Sequence, residues 1–162
     1  MAQVDFFLKL DGIKGEATDA KHKGEIEVES WSWGETNTGT MSAGGGGGAG
    51  KVVMQDVHIV KRFDTASPVL FISCATGKHI KEGVLTCRKA GGEQQEYLTI
   101  KLTDLLVSSY QSGGASAGGV IPTDQISLNF AKIEFEYKSQ KPDGTLDAPV
   151  KQGYDLKATK KI

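Results

Sequence analysis

The chain is poor in the residues that build cross-linked, metal-bound or hinged proteins: its 162 residues include 2 cysteines, 3 histidines and 4 prolines. Cys74 and Cys87 form no C-x-x-C pair and no disulfide framework, so both are expected to be buried thiols in a chain that folds in a reducing cytosol. His22, His58 and His79 lie far apart, none in an H-x-x-x-H pair, and no Cys/His cluster has zinc spacing. No metal or cofactor is expected, and the three histidines read as loop or strand surface. Scarce proline removes rigid linkers, and neither an internal repeat nor a separate low-complexity tail is present, which implies one domain over residues 1–162.

An excess of charge of one sign is also missing. Nineteen Lys and Arg against 20 Asp and Glu give a net charge of -1, and no stretch gathers the basic residues, so DNA and RNA are not expected partners. Residues 1–10 have no basic lead, and Asp5 and Lys9 interrupt their apolar positions; neither a secretory signal nor a membrane span is expected. No Gly-x-Ser-x-Gly elbow occurs, and Lys141-Pro-Asp-Gly-Thr145 is turn chemistry without the alternating carboxylates of a calcium loop. Glu25, Glu27 and Glu29 share one strand face and read as a solvated edge. The expectation is a protein that is not an enzyme.

Glycine is abundant, with 21 residues concentrated in loops and above all between Gly39 and Lys51. Gly45, Gly50 and Lys51 fit the phosphate-loop pattern G-x-x-x-x-G-K, but Val52 stands where that loop needs Ser or Thr. A phosphate loop must also lead into a helix whose amides face the anion, whereas residues 51–60 are rich in β-branched side chains and read as a strand. The segment of about 35–52 therefore reads as a long arm joining two strands. Glycine lets backbone lie close to another surface but loses much entropy when ordered, so such an arm needs a partner.

Elsewhere the period is two. Val4, Phe6, Leu8 and Leu10 alternate with polar or outward positions, as do Val53, Gln55, Val57 and Ile59, and further strands are expected at 84–89, 95–106, 125–138 and 150–158. Two strands change phase. Ile26 and Val28 share a face that Trp31 and Trp33 leave, and Ile126, Leu128 and Phe130 are out of phase with Ile133, Phe135 and Tyr137. Bends or bulges at barrel corners do this, so the fold expected is mainly β: a small antiparallel β-barrel of two packed sheets with one short helix. Ser67 as N-cap, Pro68 at the first helical position and Gly77 as terminator place that helix, which plugs the barrel.

Lys14-Gly-Glu-Ala-Thr-Asp19, Trp31-Ser-Trp-Gly34, Gly77-Lys-His79, Leu85-Thr-Cys-Arg-Lys-Ala-Gly-Gly92, Leu128-Asn-Phe130 and Gly153-Tyr-Asp155 follow one another along nearly the whole chain. In that order they resemble the haemolysin-coregulated protein (Hcp) family, the tube subunits of bacterial type VI secretion systems. The resemblance implies a β-barrel subunit that forms homohexameric rings, which stack into a tube inside a contractile sheath. It implies a VgrG-type spike, sheath proteins and secreted effectors as partners, and passage from the bacterial cytoplasm to the outside without a signal peptide or membrane insertion. It also implies that the glycine arm reaches a neighbouring subunit, with Gly39, Met41, Gly46, Gly48 and Lys51 as interface candidates. Ser30 and Ser32 are the lumen candidates, because two serines sit poorly in a core. Two alternatives remain: a carbohydrate-binding β-domain with Trp31 and Trp33 as its stacking platform, and an enzyme with an active site assembled from several loops.

Overall fold

The computed structural model describes residues 4–39, 41, 50–89, 94–119 and 121–162. Its strands are β1 (Val4–Leu10), β2 (Ile26–Val28), β3 (Ser30–Ser32), β4 (Glu35–Asn37), β5 (Val52–Met54), β6 (Val57–Arg62), β7 (Ile80–Lys89), β8 (Gln95–Gly113), β9 (Thr123–Tyr137), β10 (Val150–Asp155) and β11 (Lys160–Lys161), with a helix α1 (Ala66–Thr76) between β6 and β7. The main sheet runs β11-β10-β9-β8-β7-β1-β2, β6 also pairs with β9, and β3 pairs with β6. Every pairing is antiparallel. The mainly β class with one helix among the described residues is as the sequence implies.

The barrel is not closed by one continuous ladder. β2 pairs with β1, but β3 pairs with β6, and the exchange of partner falls at Glu29, whose N–H donates to the Val60 carbonyl at 2.8 Å. The wall thus returns to β9 through a bent segment and not through an unbroken ladder. The bend is the physical cause of the phase change read between Val28 and Trp31. β9 does the same within one strand. Its first half pairs with β6 and its second with β10, and at the changeover Phe130 and Ala131 are consecutive and both buried.

Inside this wall lie Leu8, Ile26, Ile59, Ile100, Leu105, Ile126 and Leu128, with Leu70 entering from α1. Each such side chain taken out of water contributes about 1.5–3 kcal/mol. The helix starts earlier than the Ser-Pro pair indicates. Asp64 Oδ1 accepts the Ala66 N–H at 2.9 Å, and Ser67 Oγ accepts the Asp64 N–H at 3.0 Å. Ser67 therefore closes a reciprocal cap from inside the first turn, and Pro68 occupies a position whose N–H would have no helical partner. Gly77 ends the helix as expected, at φ 63°, with its N–H on the Cys74 carbonyl and the Lys78 N–H on that of Ser73.

A polar cluster locks α1 to the wall. Lys61 is fully buried, and its Nζ donates to Asp124 Oδ2 at 2.8 Å, Ser67 Oγ at 3.0 Å and the Arg62 carbonyl at 3.0 Å, with Asp64 Oδ1 at 2.9 Å. Ser67 and Tyr110 both donate to Asp124. Burial first, and then the hydrogen bond to Asp124, push the Tyr110 phenol up.

Cys74 and Cys87 are free thiols, but only Cys87 is buried; Cys74 is half-exposed on α1. Burial pushes the Cys87 thiol up to about 11. Since the thiolate is the reactive form, iodoacetamide at about pH 8 should label Cys74 at least about tenfold faster than Cys87 in folded protein. Equal rates, followed by mass spectrometry of the alkylated peptides, would contradict this environment.

Candidate assembly surface

β4 and β5 make a two-stranded ribbon, registered Glu35↔Met54, Thr36↔Val53 and Asn37↔Val52, that pairs with no other described strand. It is the root of the glycine arm. The register brings Asn37 beside Gly50, whose carbonyl accepts the Asn37 Nδ2–H at 2.9 Å. At Gly50 a Cβ would collide with the Thr38 backbone, so this crossing requires glycine. Strand follows Lys51 directly, which disposes of the phosphate-loop pattern. Gly39 and Lys51 are exposed, and Met41 is 81% exposed. Gly46 and Gly48 lie outside the described residues.

Beneath the ribbon runs an apolar groove of about 720 Å³, lined by Val52 and Met54 from the ribbon, Trp33 at its base, Ile133 and Phe135 from β9, and Tyr154 from β10. Trp33 packs against Phe135 with ring centroids 5.3 Å apart, and its Nε1–H is buried without an acceptor among the described residues. Trp31 also packs against the core. The two indoles therefore make no exposed stacking platform of the kind a sugar-binding face uses. Ser30 and Ser32 are exposed on β3 and paired with Val60 and His58.

Of the groove residues, the sequence singled out Trp33, as a stacking candidate, and Ile133 and Phe135, as marks of the phase change, but did not bring them together in a groove. A second apolar surface lies on α1, where Val69, Phe71 and Ile72 are exposed while Leu70 and Ser73 face inward. No group of three or more His, Cys, Asp or Glu able to hold a metal occurs among the described residues, and no helix there is long and apolar enough to cross a membrane.

One histidine is misplaced by sequence reading. His22 is not on the surface: it is buried, with Nδ1 2.8 Å from Glu25 Oε2 and Nε2 2.6 Å from Glu96 Oε1. Glu25 is correspondingly drawn out of the solvated edge it was expected to share with Glu27 and Glu29.

Residues 7–137 match a family model described as type VI secretion system effector, Hcp. The chain is 49% identical over 156 residues to Protein hcp1 of Pseudomonas aeruginosa, covering 95% of this chain and 96% of that protein. Among solved structures it is similar to Hcp1 from Salmonella typhimurium, at 38% identity and a TM-score of 0.80 with both chains fully covered. It is also similar to a structure described as a type six secretion system protein, at 32% identity and a TM-score of 0.94, over 99% of this chain and 100% of that one.

Proposed function

The chain belongs to the Hcp family of type VI secretion proteins, and from that premise we propose that it is the repeating subunit of a secretion tube whose work is mechanical and not catalytic. Identical subunits close into a hexameric ring, rings stack into a tube, and a contractile sheath drives the tube out of the cell with a VgrG-type spike at its tip. Subunits assemble in the bacterial cytoplasm and leave with the tube, without a signal peptide. Effectors ride in the ring lumen, and Ser30 and Ser32 face that channel.

The observation that carries the reading is the ribbon β4–β5, which stands over an apolar groove and pairs with nothing else in its own described chain. A cyclic ring joins one patch to a different patch on the next copy. Two different apolar surfaces are available here, the groove side and the outer face of α1. Gly39, Met41, Gly46, Gly48 and Lys51 lie along the arm that reaches the neighbour, where glycine admits close backbone approach. Light scattering coupled to size exclusion should give a mass of about six protomers at tens of micromolar protein, and negative-stain images should show closed rings end-on. A strictly monomeric species at that concentration would overturn the proposal.

A further inference from the structure

Residues 14–25, between β1 and β2, form a strap over the outer face of the main sheet, away from the core. Phe6 and Leu8 of β1 point toward the core, whereas Phe7 lies on the other side with Thr86 and Arg88 of β7, and all three are buried. The strap buries them. Its backbone is held by Gly15 N–H on the Gly24 carbonyl at 2.8 Å, Gly24 N–H on that of Ala17 at 2.9 Å and Ala17 N–H on that of Glu25 at 3.0 Å.

Two charged clamps fasten it across the sheet. The His22 ring stacks on Phe7 at 4.4 Å with an interplanar angle of 6°, and the Arg88 guanidinium lies 4.8 Å from the Phe7 ring centroid. Arg88 forks onto Asp19 of the strap at 2.9 and 2.8 Å and reaches Asp5 of β1 at 3.2 Å. His22 spans Glu25 at the strap's end and Glu96 of β8, the carboxylates that face its two nitrogens. Carboxylates only accept, so both ring nitrogens must donate for both contacts to form, and that describes the imidazolium. A neutral ring keeps one hydrogen bond and turns a lone pair toward the other carboxylate.

We propose that the strap is a proton-dependent latch: His22 as imidazolium holds residues 14–25 against β8, and loss of its proton releases the Glu96 contact and loosens the strap over Phe7, Thr86 and Arg88. The need for two donating nitrogens sets the sign. Glu25, Glu96 and Asp19 place negative charge around the ring, Asp5 adds more behind Arg88, and Arg88 places positive charge across the Phe7 ring. The contribution of His22 is therefore present at low pH and lost as pH rises. Hydrogen bonding to Arg88 holds Asp19 well below the usual carboxylate range, so its clamp is present above that range and is lost only on strong acidification. The strap is tightest in mild acid.

Hydrogen exchange of the assembled full-length protein, corrected for the intrinsic pH dependence of exchange, tests this. Protection of the Ala17 and Gly24 amides should fall about tenfold between about pH 6 and pH 8.5 while the Leu102 amide of β8 stays constant. His22→Phe keeps a ring against Phe7 and removes both His22 hydrogen bonds while leaving the Arg88 clamp in place, so its strap should exchange faster and independently of pH. Glu96→Gln, at a partly exposed position, should flatten the pH dependence without unfolding the chain even if His22→Phe does not fold. Flat protection in the parent, or an unchanged pH slope in Glu96→Gln, would overturn the latch.

Discussion

Lys61→Met should destabilise the protein by about 3–5 kcal/mol, the range for removing one partner of a buried ion pair. Methionine can fill the space of the lysine stem, so the loss is electrostatic and not a cavity. What remains is Asp124 at 0% exposure, still receiving hydrogen bonds from Ser67 and Tyr110 but without its cation, and Asp64, which keeps only the Ala66 N–H. Because those carboxylates join β6, β9 and the cap of α1, the helix should detach first. Thermal unfolding at a fixed protomer concentration measures the loss, since association shifts apparent stability. Adding Asp124→Asn to Lys61→Met should restore a substantial part of it, because the uncompensated charge is gone. A Lys61→Met protein within about 1 kcal/mol of the parent would show that the cluster does not anchor the helix.

The second large effect is on assembly. Replacing residues 38–51 by Asn-Gly should leave the body folded, because Asn37 and Val52 are already paired and a two-residue type I′ turn can join them. Circular dichroism should therefore change little. If the arm holds the proposed hexameric ring, the particle mass should nevertheless fall about six-fold, from ring to protomer, since Met41, Lys51 and the glycine tract are removed together. Gly46→Val with Gly48→Val is the milder form of the same test, adding β-branches that restrict the backbone and obstruct close approach. Rings of undiminished mass from the shortened chain would remove the arm from the mechanism.

Much of this architecture was legible because strand period is a local property. Alternation in residues 4–10 and 125–138, turn chemistry around Pro142 and the terminator Gly77 all survive in the structure. The phase changes correctly announced bends, but period alone cannot say which strand pairs on either side of a bend. The exchange of partner at Glu29, from β1 to β6, was accordingly not legible. The α1 start was missed because Asp64, outside the helix, supplies the cap that the Ser-Pro pair seemed to own. His22 was invisible for another reason: Glu96 lies 74 residues away, and only the sheet register brings it to the ring. The groove required knowing that β9 passes beneath the β4–β5 ribbon, which no spacing encodes.

β10 has one further consequence. β11 pairs only with Tyr154 and Asp155, and the Ile162 N–H reaches the Gly153 carbonyl, so Val150, Lys151 and Gln152 have no described strand on their outer side. An uncovered strand carrying an exposed valine is a template for runaway fibre growth. Lys151 stands in the middle of it, its ammonium 3.7 Å from Glu134 Oε1 of β9 but most of its side chain in water, and Lys160 and Lys161 flank the far end. Two such borders brought together would oppose ammonium groups, so the strand edge carries its own deterrent to amyloid-like polymerisation.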